Sequence, residues 1–339
     1  AGGINNVAIG DNAGTAITTG DGNVAVGKDA LLSNTTAGQN TAVGKDSLKL
    51  NLTAEKNTAI GDSALRQNTT GANNTAVGVS ALLTNTTASN NTATGFRALC
   101  LNTTGANNTA MGYEALVANT TGTPNTAVGY QALLANTTGS NNTGIGYQSL
   151  KANTSGARNT AIGHGTLGLN VSGACNIAIG QVALSKNTVS NNVAIGANAM
   201  EENTTGANNT AVGLCALKAN TTGTHNTAVG ATSMSSNTTG CQNVAVGRNS
   251  LCTNTTGFCN TALGYNSLVS NTTGCCNIAV GRSALNNNTT GNQNTAVGGS
   301  ALCASTTGDF NTVVGEKSMM GINTGDSNAA FGQGSLRCN

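Results

Sequence analysis

Apolar residues recur along this chain at fixed positions of a seventeen-residue unit, and the polar residues between them recur as strictly. The unit is clearest where NTAMGYEALVANTTGTP is followed by NTAVGYQALLANTTGSN, Asn108 to Asn141. Numbering it from the first Asn, positions one to five read Asn-Thr-Ala-Val-Gly, eight and nine Ala-Leu, and twelve to fifteen Asn-Thr-Thr-Gly. The glycine at position five falls every seventeen residues from Gly10 to Gly180 and again from Gly196 to Gly332, with one step of sixteen within Lys186 to Asn192. Twenty units result, and a period of this size with strand-like residues predicts a solenoid.

Strands are expected over helices because each unit carries two glycine or glycine-like positions, β-branched Val, Ile and Thr, and no long run of helix formers. The Asn-Thr-Ala-Val segment reads as a short strand whose second and fourth side chains point to one side and whose third points to the other. Position four is apolar in every unit except the one with Thr94, which predicts that it faces the interior. Position three is Ala in all but two units, Gly144 and Val313, and a place so uniformly small suggests that another backbone, such as that of a second chain, comes close. Position nine, Leu or Met from Leu31 to Leu336, should form a second interior column. The position-five glycine should adopt a conformation denied to other residues where the coil turns. Position twelve is Asn from Asn34 through Asn288, with one shortened unit included, and again at Asn339; at a rung spacing of about 4.8 Å its side chains can form a hydrogen-bonded ladder. Twenty rungs would make a rod of about 95 Å. The fold expected is all-β: a parallel β-solenoid of twenty 17-residue rungs forming one continuous array over residues 1–339.

Composition narrows the reading. Aromatic residues are 2% and charged residues 8% of the chain, Trp is absent, and Pro occurs once, at Pro124, so a core of large side chains is not available. The bias toward Asn, Thr and Gly would fit disorder, but scattered apolar residues would then be expected, not columns. Fourteen basic residues against twelve acidic ones give a net charge of +2 without a basic run, which argues against a nucleic-acid partner. No apolar stretch approaches the length of a membrane helix, so membrane insertion is not expected. Ala1 stands where Met is usual, so either a leader has been removed or this is a segment of a longer chain. The ends also fit: Asn339 stops at position twelve, and AGGIN, Ala1 to Asn5, supplies the five residues needed to reach the next unit. A subunit of an open head-to-tail filament and a fragment of a longer array both follow from that arithmetic.

The Asn-Val-Ala-Ile-Gly rungs at Asn6 to Gly10 and Asn192 to Gly196, with Asn-Ile-Ala-Ile-Gly at Asn176 to Gly180, resemble the repeated motif of YadA-like trimeric autotransporter adhesin heads, and similar repeats occur in phage tail fibres. That resemblance implies a left-handed parallel β-roll, three chains side by side, location outside the cell or on a cell or virion surface, and adhesion. The adhesin units are typically shorter, and no stalk of heptads, neck or membrane anchor is present in the sequence.

Candidate chemistry is sparse. The two histidines, His164 and His225, occupy different positions of the unit, and the acids are scattered or sit at positions six and seven, as Asp29, Asp46, Asp62 and Glu114 do. Glu201-Glu202 reads as a solvated turn, and no metal-ligand spacing or phosphate loop is present, so neither catalysis, cofactor nor metal is expected. Position six is the exception: Phe96, Tyr113, Tyr130, Tyr147 and His164 fall on successive rungs, and such a ladder could grip a sugar or a neighbouring filament, or simply cover the rod. Cys241, Cys259, Cys275 and Cys276 occupy the last two positions of neighbouring units, with Cys175 in the same row, and adjacent rungs bring alpha carbons within disulfide range. Cys259 with Cys276 and Cys241 with Cys259 are candidate pairs, strained by parallel side chains; Cys100, Cys252 and Cys303 share position ten and could bridge chains; unpaired small residues are equally consistent. The Thr pairs, such as Thr103-Thr104, form columns that fit a turn and also an ice-binding face. Asn-Thr-Thr matches a glycosylation acceptor, inaccessible if its Asn points inward. The expectation is an extracellular structural rod that assembles with itself, as a homotrimer or head to tail; the alternatives are an adhesin or tail fibre that recognises cell-surface glycans and, with less support, an ice-binding protein.

Overall fold

A computed structural model describes residues 3–321 and 324–337, and the chain divides into two compact units, Ala1–Ala174 and Cys175–Asn339. The first contains ten three-residue strands, from β1 (Val7–Ile9) and β2 (Val24–Val26) to β10 (Thr160–Ile162). Each strand pairs in parallel with the next in register, seventeen residues on, as Val7 with Val24 and Thr160 with Thr143. The second contains another ten, from β11 (Ile177–Ile179) and β12 (Val193–Ile195) to β20 (Ala329–Phe331), paired in the same way. Each unit is a parallel β-solenoid with one strand per coil. Ala1 and Asn339, on which the head-to-tail arithmetic rests, lie outside the described residues.

The coil closes through left-handed backbone. Every described position-five glycine has φ between 104° and 141°, and a methyl group on Gly129 would lie 2.6 Å from the carbonyl oxygen of Gly146 on the next rung. Positions seven, nine and seventeen also have positive φ, usually without glycine: Gln131 at 53°, Leu133 at 52° and Asn141 at 59°. An L-residue in this region costs about 1–2 kcal/mol, so each coil stores strain that burial and hydrogen bonding must offset. For leucine the offset is visible, since Leu31, Leu116, Leu133 and Leu217 are completely buried, worth about 1.5–3 kcal/mol each.

The expected facing of the strand is reversed. From β2 onward position three, the middle residue of each strand, is buried, whereas positions two and four are never buried; Ile60, Met111 and Ile145 are among the exposed position-four residues. Coil width explains this. A Cβ on Gly144 would meet Ser149 Oγ at 3.1 Å and Leu133 Cγ at 3.3 Å, so the inward strand position looks straight onto the leucine column and has room for a methyl group only. A uniform Ala column is therefore the mark of a narrow coil interior, and it cannot be the contact between chains that its small size suggested. The column at position nine is interior as expected from Leu31 to Met319, but Leu336 on the last rung is exposed.

The other interior columns are polar. At position twelve, the side-chain amide of each Asn donates to the Asn of the preceding rung, from Asn51 onto Asn34 to Asn170 onto Asn153 at 2.8–3.2 Å in the first unit. In the second unit the column runs from Asn203 onto Asn187 to Asn288 onto Asn271 at 2.7–2.9 Å. A second asparagine column, not anticipated from the sequence, stands at position one: Asn125 donates its backbone N–H to Asn108 Oδ1 at 2.8 Å. The two columns meet on one acceptor. Gly122 O receives the side-chain amides of both Asn108 and Asn119, each at 3.0 Å, so the buried amides that would otherwise cost about 1–3 kcal/mol apiece are satisfied. Burial of the position-twelve amides also removes the Asn-Thr-Thr triplets as accessible glycosylation acceptors.

The single short rung, Asn176 to Asn191, keeps this arrangement. Asn176 and Asn187 both donate to Val189 O, at 2.8 and 2.7 Å, and Ile177 still pairs with Val193. The missing residue is absorbed in the turn after position twelve, and the strand register is unchanged.

Candidate functional site

Three outward features remain once the interior is assigned, and each is a column set by the repeat. The first is the aromatic ladder. Phe96, Tyr113, Tyr130, Tyr147 and His164 stack in sequence, with ring centroids 5.3, 5.2, 5.2 and 5.1 Å apart and interplanar angles falling from 17° to 5°. Phe96 and the three tyrosines are nevertheless 42–47% exposed. Both statements hold because neighbours cover the ring faces while the edges and phenol hydroxyls meet solvent. A sugar that stacks on an aromatic face needs that face open, and a ring spacing near 5 Å leaves no room between inner members.

Beside the rings runs a polar column at position seven that sequence reasoning missed. Arg97 Nη1 donates to Glu114 Oε1 at 2.8 Å, Gln131 Nε2 to Glu114 Oε2 at 3.1 Å, and Gln148 Nε2 to Gln131 Oε1 at 3.0 Å. Its signal was available as four long polar residues at one position of four successive units. These bonds tie position seven, beside the rings, from rung to rung.

The second feature is the outer face of each sheet, formed by positions two and four. No rung places a charged residue at positions two to four, so the face carries only Thr and aliphatic side chains with a few variants such as Met111 and Phe331. Ten strands at about 4.8 Å and two outward columns give each unit a flat strip of roughly 500 Å², at the upper end of what a monomer leaves exposed.

The third is the turn at positions twelve to seventeen. The first Thr of each pair is committed to the fold, as when Thr120 Oγ1 donates to Thr137 O at 3.1 Å, and only the second stands exposed. The same turn carries Cys175, Cys241, Cys259, Cys275 and Cys276, whereas Cys100, Cys252 and Cys303 lie at position ten. Cys241, Cys259, Cys275 and Cys276 are free thiols, as are Cys100, Cys175, Cys252 and Cys303. Desolvation, then the neighbouring Cys276 and Cys241, pushes the Cys259 thiol above its ordinary pKa; desolvation and Cys276 do the same for Cys275.

Among the described residues no group of three His, Cys, Asp or Glu side chains is placed to hold a metal ion, and no helix is long and apolar enough to cross a membrane. One shallow cavity of about 200 Å³, lined by Thr19, Asp21, Thr36, Gly38, Gln39 and Glu55, lies on the outside of early rungs. It gathers neither the aromatic ladder nor the thiols. No protein-family model matches the chain, and no curated protein matches it.

Proposed function

We propose that this protein is a structural fibre element: a β-solenoid that lies side by side with further copies of itself through the outer faces of its sheets, outside the cell or on the surface of a cell or particle. The observation that carries the reading is the unbroken, uncharged strip of positions two and four. Its occupant is a second copy because of period. The ridges of the strip repeat at the rung spacing of about 4.8 Å, and only a surface with the same repeat can interlock with it over many rungs; a globular partner would match one or two. Interdigitated dry faces of this kind hold stacked sheets together in cross-β assemblies. Location at a surface rests on the likeness of the Asn-Val-Ala-Ile-Gly rungs to adhesin heads.

The test is direct. Purified protein should form bundles by negative-stain electron microscopy and a concentration-dependent series by sedimentation velocity. Lysine at four outward positions, Val77→Lys, Val128→Lys, Val212→Lys and Val229→Lys, should leave the circular dichroism unchanged and reduce the protein to single particles. Wild type that stays monomeric across a broad concentration and salt range would overturn the reading.

A further inference from the structure

Four thiols converge on three hydrogen-bonded rungs of the second unit. The N–H of Cys259 donates to Cys241 O at 3.1 Å, and the N–H of Cys276 donates to Phe258 O at 3.0 Å, so positions sixteen and seventeen of these rungs stack directly. Cys259 and Cys276 occupy the same position one rung apart, both exposed, with φ of 54° and 59°. Rung spacing puts their alpha carbons about 4.8 Å apart, inside the range that a disulfide spans. Of the remaining thiols, Cys275 is near Cys276 but is its immediate chain neighbour and donates Sγ to Asn292 Oδ1 at 3.0 Å on the following rung, and Cys241 sits one position out of line with Cys259. Cys259 Sγ donates to Gln242 Oε1 at 3.2 Å on the preceding rung, and the Cys276 thiol is near enough to help raise the Cys259 pKa.

We propose that Cys259 and Cys276 are an oxidisable pair that a low-molecular-weight disulfide closes into a covalent staple between adjacent rungs. A thiolate of the pair attacks one sulfur of the reagent, forming a mixed disulfide and expelling one thiolate. The second cysteine then attacks the protein-side sulfur and expels the other. Two protein thiols are oxidised to one disulfide, one reagent disulfide is reduced to two thiols, and the two protons lost by the cysteines end on the expelled thiolates. The staple closes one full coil, residues 259 to 276, and adds a covalent link to a turn held by rung-to-rung hydrogen bonds. Because desolvation, and then the neighbouring Cys276 and Cys241, raises the Cys259 pKa, closure accelerates as the solution becomes alkaline.

The experiment uses the full chain incubated with glutathione disulfide, quenched by alkylation, cut with chymotrypsin within Tyr265 to Leu268 and mapped by mass spectrometry without reduction. The expected product joins the Cys259 and Cys276 peptides with the loss of two hydrogens, forms faster at about pH 9 than at about pH 7, and persists in Cys241→Ser and Cys275→Ser. Cys276→Ser should stop at the glutathione adduct of Cys259, with circular dichroism showing that the variant is folded. Separate alkylation of both residues after oxidation, a glutathione adduct on wild type that never resolves, or a linkage between Cys275 and Cys276 instead would each overturn the proposal.

Discussion

At the scale of single residues, asparagine does in this fold what large apolar side chains do in most cores. Asn136 donates to Asn119 Oδ1 at 2.9 Å and Gly139 O at 3.0 Å, and accepts from Asn153 at 2.8 Å. Asn136→Ala therefore removes three bonds at once and strands two buried partners, an expected loss of about 2–4 kcal/mol by chemical denaturation. The converse change should stabilise. Ser305 stands where the column calls for Asn, and both its Oγ and the Oδ1 of Asn288 behind it are buried without a partner. Ser305→Asn should supply the missing donor and raise stability by about 1 kcal/mol, read as a higher denaturation midpoint at unchanged slope. The position-one column could have been found from the sequence, because that position is Asn in all twenty units and position twelve is not. What hides it is that an Asn at a strand start has a ready local explanation as a turn residue.

At the scale of one coil, the seventeen-residue period, the strand and the Leu column were legible because spacing and apolar identity suffice to define them. The facing of the strand was not. Alternation says that Ala110 and Met111 oppose each other, but not which is inside; that depends on coil width, which Leu116 and its neighbours set across the interior. The aromatic ladder was legible as a column, and its stacking followed from rung spacing, yet the direction of the ring faces required the structure. The native sixteen-residue rung also shows where the coil tolerates change. Deleting Thr138, in the turn that Val189 shortens, should preserve the fold at a modest cost. Deleting Gln131 should not, since it pulls Leu133 and Asn136 out of their columns. The two deletions should differ by several kcal/mol in unfolding free energy, and equal effects would contradict the assignment of that turn as the slack segment.

For the molecule as a whole, so few charges mean that individual ion pairs are easily seen. Lys49 Nζ lies 3.0 Å from Asp29 Oδ2 and 2.9 Å from Asp46 Oδ1, bridging two rungs. Hydrogen bonds from Lys49 and then Asn12 lower the Asp29 pKa, and the bonds to Asp46 and Asp29 raise that of Lys49. The carboxylate's contribution is present above the ordinary aspartate range and lost as pH falls through it. The ammonium's is present below the ordinary lysine range and lost as pH rises beyond it. The bridge should thus support the first unit across the neutral range, and Lys49→Met should flatten the acid limb of its stability profile; an unchanged limb would show the bridge to be inert. Both partners retain solvent contact, so the effect should be small and should shrink in salt.

The coil spacing has one further consequence, for how fast the chain folds. Sheet proteins are ordinarily slow because their strands must find partners far away in sequence. Here the ladders join residues about one rung apart, as with Thr58 and Thr75 or Asn209 and Asn226. Over a chain of this length that separation corresponds to a relative contact order of roughly 0.05, below even helical bundles. Any two neighbouring rungs can serve as the nucleus, and each later rung closes the same short loop. Despite its all-β architecture, the array should propagate with the kinetics of a locally connected helical protein.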